Sequence, residues 1–180
     1  ERGKRPLPPF PSRVGVVTAR TGAVLHDILH VIGRRFPVEI LLAPTAVQGD
    51  AAHLEIARAI RVLDGRVDVI IVARGGGSFD DLFPFNHPDV VRAVGCSQTP
   101  VVSAVGHEVD HVLSDLAADR RAPTPSAAAE LVVPDRAELN REIGGYRDRM
   151  RSSLGKKVEE AGLLIEDLRL RLQPRRLLRR

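Results

Sequence analysis

A chain of 180 residues, 43% hydrophobic and 28% charged, has the composition of a globular protein, with room for one full domain and an appendage. Its single cysteine, Cys96, excludes an internal disulfide, and no apolar run approaches the ~20 residues that span a bilayer. The formal charge of +4 is unevenly placed: residues 1–134 hold 14 Lys+Arg against 15 Asp+Glu, whereas residues 135–180 hold 13 against 8, so the basic surplus belongs to the last quarter.

Residues 1–12 are rich in Pro and Arg, lack periodicity and read as a linker. The first five residues carry no initiator Met and no apolar signal core, which reads as a piece of a longer cytoplasmic protein. Four short β-branched runs follow: Arg13–Thr18, and residues 38–43, 67–73 and 100–105. They are nearly continuous hydrophobics, the pattern of strands buried on both faces of a parallel sheet. Between them, residues 22–34 and 51–63 place apolar side chains at helical spacing, and residues 88–95 form a shorter helical candidate. Alternating strands and helices predict an α/β domain over residues 13–134, a parallel Rossmann-like sheet with βαβ crossovers. Cys96 is expected to be a small buried residue. From residue 135 the apolar positions 139, 143, 146, 150, 154, 158, 161, 165, 168 and 172 step by threes and fours. They predict a long coiled-coil-like helical arm over residues 135–180, weakened by Gly144, Gly145, Gly155 and Gly162 and ended by Pro174.

In open parallel sheets ligands bind beyond the carboxyl ends of the strands. Each predicted strand end here carries polar or glycine-rich residues. Thr18, Thr21 and Gly22 follow the first, with Asp27 in the next helix; Gln48 follows the second; Arg74, Gly75, Gly76, Gly77, Ser78 and later Asn86 follow the third; His107 and Asp110 follow the fourth. Three successive glycines let backbone N–H groups approach an anion, and the Arg74 guanidinium offers a forked cation for a phosphodiester. His107 is a natural proton carrier near neutral pH, and Asp110, three residues on at the expected start of a helix, is placed to orient it. Asp115 and Asp119, with Asp110, read as solvated helix charge and not as a metal cage. The same glycine loop also suits a non-catalytic phosphate- or nucleotide-binding module, and the basic arm a scaffold.

Six motifs, in order, carry a family resemblance. They are Thr21-Gly22-Ala23 to His26-Asp27-Ile28-Leu29, Pro44-Thr45-Ala46-Val47-Gln48-Gly49, Arg74-Gly75-Gly76-Gly77-Ser78, Asp81-Leu82 to Phe85-Asn86, Ser103-Ala104-Val105-Gly106-His107-Glu108 to Asp110, and Arg121-Ala122-Pro123-Thr124-Pro125-Ser126 to Glu130. Together they resemble the large subunit of exodeoxyribonuclease VII from about Pro11 to Pro134. The resemblance implies a cytoplasmic nuclease that hydrolyses single-stranded DNA from both ends to oligonucleotides and nucleotides. It implies catalytic positions at Asp27, Arg74, His107 and Asp110, and no strict need for a divalent metal. It also implies an N-terminal OB-fold, absent from this chain, and a helical arm, cut short at Arg180, that recruits several copies of a small helical subunit.

Overall fold

The computed structural model describes residues 3–76, 79–106 and 111–172, apart from the side chains of residues 79–81. It divides into two compact units, Glu1–Asp135 and Arg136–Arg180.

The first unit is built on five parallel strands: β1 (Arg13–Thr18), β2 (Glu39–Pro44), β3 (Val69–Ala73), β4 (Val101–Ala104) and β5 (Arg120–Arg121). Their order is β2-β1-β3-β4-β5, the flavodoxin-like variant of the doubly wound sheet. The helices are α1 (Ala23–Arg35), α2 (Ala52–Leu63), α3 (Pro88–Cys96), α4 (Leu113–Ala117) and α5 (Pro125–Val132), with a 3-10 helix at Phe79–Asn86. The continuous apolar runs are explained by two cores. On one face Val14, Val16, Val69, Ile71 and Val102 pack with α1 and α5; on the other Val17, Ile70, Val72 and Val101 pack with α2 and α3. Successive residues of one strand thus feed opposite cores. Within β1, Gly15 is required by close approach: a Cβ there would lie 2.9 Å from Val67 Cγ2 and 3.0 Å from Leu63 Cδ1.

Several sequence expectations change. Residues 3–12 are irregular as expected of a linker, yet they are fastened down. Arg5 N–H donates to Asp119 Oδ1 at 2.6 Å while its guanidinium reaches Oδ2 at 2.9 Å, and Ser12 N–H donates to Asp68 Oδ2 at 2.7 Å. Asp115 and Asp119 are not solvated charges; both are buried, at 4% exposure. Asp115 accepts from Ser103 Oγ at 2.6 Å and pairs with Arg121 at 3.1 Å. Cys96 is exposed, because it falls at the last residue of α3. The helix expected to start at His107 falls on residues outside those described, as do His107 and Asp110 themselves; α4 begins at Leu113. β5 is too short to register as an apolar run, and α5 is a helix not anticipated in the sequence, although Thr124 followed by Pro125 is a helix-start signature.

The second unit is one helix, α6 (Arg136–Arg171), which buries none of its residues and leaves Ile143, Tyr146, Met150, Leu154, Val158, Ile165 and Leu168 exposed.

Candidate functional site

β1 and β3 are neighbours in space although β2 separates them in sequence, so the sheet reverses its order between them. A crevice opens at such a switch point. Here it is a cavity of about 160 Å³, lined by Ala23, Val24 and Asp27 of α1, by Arg74, Gly75 and Gly76 after β3, by Ala104 and the two residues after it, and by Pro123, Thr124 and Pro125 at the start of α5. A water takes up roughly 30 Å³ of liquid, so the space suits one phosphoryl-sized group better than an enclosed nucleotide.

Each wall has a local cause. Arg74 continues the β3–β4 ladder, its N–H donating to Ala104 O at 3.2 Å, and the residue is 5% exposed. Arg74 is therefore a buried cation among the lining residues, and a low dielectric strengthens the attraction of such a charge for an anion. Gly75 is packed close: a Cβ there would meet Val24 Cγ2 at 3.1 Å, so a larger residue would push α1 away or fill the cavity. A Cβ on Gly76 meets nothing within 4 Å. Gly22 precedes α1 with φ +151° and ψ 166°, backbone that glycine adopts and other residues resist. It supplies no side-chain cap, which leaves the first N–H groups of α1 open to an anion. Thr124 caps α5, its Oγ1 accepting from Ala127 N–H at 3.0 Å. The starts of α1 and α5 and the buried Arg74 thus border a single cavity, and the uncapped start of α1 favours a bound anion there. Asp27 is exposed on the rim, one turn into α1, where a carboxylate can accept a proton or hydrogen-bond a water.

Of the residues singled out in the sequence, the cavity brings together Asp27, Arg74, Gly75 and Gly76, with Gly22 adjacent through Ala23. His107, Asp110, Gly77 and Ser78 lie outside the described residues. Thr18, Thr21, Gln48 and Asn86 are not among the lining residues. Thr18 is buried at the end of β1, its carbonyl accepting from Thr45 N–H; Thr21 and Gln48 are exposed; Asn86 Oδ1 accepts from Leu113 N–H at 2.7 Å and so holds the start of α4. The sequence reading missed Pro123, Thr124 and Pro125 as cavity walls; the helix-start signature was their available signal.

Away from the cavity, two carboxylates hold the start of β4. Asp64, the residue after α2, accepts from the N–H groups of Gln98 and Thr99 at 3.0 and 2.9 Å. Asp119 accepts from Val101 N–H at 2.8 Å as well as from Arg5. Burial works to raise both pKa values, but the hydrogen bonds outweigh it, from Thr99, Gln98 and Ser97 at Asp64 and from Arg5 and Val101 at Asp119. Both carboxyls end below their ordinary value.

Comparison with known proteins identifies the family. The family model for the exonuclease VII large subunit matches residues 1–180. The chain is 52% identical over 171 residues to the exodeoxyribonuclease 7 large subunit of Geobacter metallireducens, covering 93% of this chain and 38% of that protein. It is 50% identical over 172 residues to the protein of the same name from Pseudomonas putida, covering 94% and 38%. To that from Syntrophotalea carbinolica it is 52% identical over 173 residues, covering 94% and 43%. The chain spans about two fifths of the length of these relatives. With the family model matching from end to end and half the residues shared with curated members, this chain belongs to the exonuclease VII large-subunit family.

Proposed function

We propose that this chain is the catalytic domain of an exodeoxyribonuclease VII large subunit, hydrolysing phosphodiester bonds of single-stranded DNA from both the 5′ and 3′ ends. The observation that carries the reading is the cavity at the sheet's switch point, where Asp27, Arg74, Gly75 and Gly76 meet two helix N-termini. Arg74 and the neighbouring amides hold the scissile phosphate and neutralise charge as it builds on the non-bridging oxygens; preorganised donors of this kind are worth ~10²–10³-fold each. Asp27 orients the attacking water. His107 moves the proton, as general base or acid, for ~10²–10⁴-fold, and Asp110 fixes its tautomer. Gly77 and Ser78 extend the phosphate loop, and the exposed Thr21, Gly22 and Gln48 contact the flanking strand, whereas Thr18, which is buried, and Asn86, which holds the start of α4, support the site from within. No divalent metal is strictly required, because Arg74 bears the charge. The exposed apolar seam of α6 takes several copies of the small helical subunit, and the assembly works in the cytoplasm.

The test is hydrolysis of labelled single-stranded DNA by the full-length protein with its small subunit, with and without EDTA. Acid-soluble product is expected to persist in EDTA. Arg74→Ala and His107→Ala are each expected to lower kcat at least 100-fold, with His111→Ala near wild type. Equal effects of Arg74→Ala and His111→Ala would overturn the assignment. Absence of any product in EDTA from the wild-type complex would overturn the metal-independent reading.

A further inference from the structure

The two faces of the sheet differ in what their helices present at the carboxyl edge. On the face opposite α1 and α5, the first turn of α2 carries His53 and the start of α3 carries His87 and Asp89. One ligand atom from each of these three lies within 4.8 Å of the others, and among the described residues no other group of three His, Cys, Asp or Glu side chains gathers this closely. All three side chains are half-buried, so they are partly ordered by packing yet reachable from solvent.

The hydrogen bonding within this group is incomplete in an informative way. His87 Nδ1 accepts from Asp89 N–H at 3.3 Å. The same atom lies 3.3 Å from Asp89 Oδ2. Asp89 Oδ1 is already turned to Arg92 at 3.4 Å, which leaves Oδ2 for another partner. The His53 and His87 rings are neighbours, with centroids 3.8 Å apart and planes tilted by 33°, so the two imidazoles border the same space. A single divalent ion among them would draw on both imidazoles and the carboxylate at once. The 3.3 Å between His87 Nδ1 and Asp89 Oδ2 matches the edge of a tetrahedron whose metal–ligand bonds are about 2.0–2.1 Å, and His53 completes the group within 4.8 Å.

We infer that His53, His87 and Asp89 form a binding site for a divalent ion of intermediate softness, of the zinc class, on the α2–α3 face of the sheet. Two imidazoles and one carboxylate select zinc, cobalt or nickel over magnesium or calcium, which prefer oxygen ligands. Three protein ligands leave the fourth position to water. The ion joins the start of α2 to the start of α3 and so fastens together the segments that follow β2 and β3. It stands apart from the Arg74 cavity, whose lining includes none of the three residues.

The experiment titrates the untagged, metal-stripped 180-residue chain with Zn²⁺ by calorimetry, and with Co²⁺ by visible absorption. One Zn²⁺ per chain is expected, with a Co²⁺ spectrum of low coordination number that Zn²⁺ abolishes. His53→Ala and His87→Ala are each expected to weaken Zn²⁺ at least 10-fold, Asp89→Asn less, and the surface control His30→Ala not at all. His53→Gln keeps a polar side chain of similar bulk and should lose the ion equally if His53→Ala fails to fold. Failure to bind one equivalent, or binding unchanged in His53→Gln and His87→Ala, would overturn the assignment.

Discussion

At the scale of single residues, identity alone says little about role. Asp27 and Asp119 are both helix-region aspartates in the sequence, yet one lies on a cavity rim and the other is a buried anchor for Arg5. Arg74 was legible because it stands at a strand end before glycines; that it is buried in a cavity wall was not. The glycines divide in the same way. Gly22 needs its unusual backbone, so Gly22→Ala is expected to cost about 1–3 kcal/mol, read as a lower urea midpoint. Gly15 needs space; Gly15→Val forces Val67 and Leu63 apart and should cost about 1–3 kcal/mol, again by urea titration. Gly76, with open space around it, should accept Ala with little loss of stability, and an equal loss in Gly76→Ala and Gly15→Val would contradict the packing argument.

At the scale of elements, the long apolar runs were easy to read and the short ones were not. β1 falls at Arg13–Thr18 as the pattern predicts, and α1, α2 and α3 shift by at most one residue at either end. β5 has only Arg120 and Arg121, two charged residues that pair with β4 through the backbone, so no hydrophobic pattern marks it. β4 depends on Asp64 and Asp119, whose folded pKa values lie below the unfolded value of about 3.9. Their contribution is therefore complete above that value and is lost below it, as pH falls through the lower folded pKa. Unfolding midpoints should be flat from pH 7 to 5 and drop below pH 4, with a smaller drop in Asp119→Asn. In α6 the four glycines weaken a helix that buries nothing. Replacing Gly144, Gly145, Gly155 and Gly162 by Ala should add roughly 1 kcal/mol of helix propensity each, visible as stronger ellipticity at 222 nm in a peptide of residues 136–171.

At the scale of the whole molecule, charge and site are separated. The unit that holds the cavity has no basic surplus, whereas residues 135–180 carry the excess. Affinity for a polyanion grows with the number of phosphates neutralised. Single-stranded DNA should therefore bind residues 1–135 weakly and with a shallow salt dependence, and the 180-residue chain more tightly and more steeply; identical salt slopes would refute this. Much of the fold could be read directly from the chain. Runs of Val and Ile without alternation demand two covered faces, and the helices between them supply those covers, so a parallel α/β sheet follows from burial alone. The ends of the strands named the candidate residues for the same reason, since polar and glycine-rich segments cannot continue a buried strand. Which ends meet was decided only by the order β2-β1-β3-β4-β5. It sets β1 beside β3, bringing α1 and Asp27 to Arg74, and it puts β2 at the edge, leaving Gln48 outside the cavity. It also places α5 beside α1, so that Thr124, remote in sequence, closes the wall. Local patterns fix strands and turns because burial acts residue by residue; neighbours across a sheet are set by long-range packing that no short segment encodes.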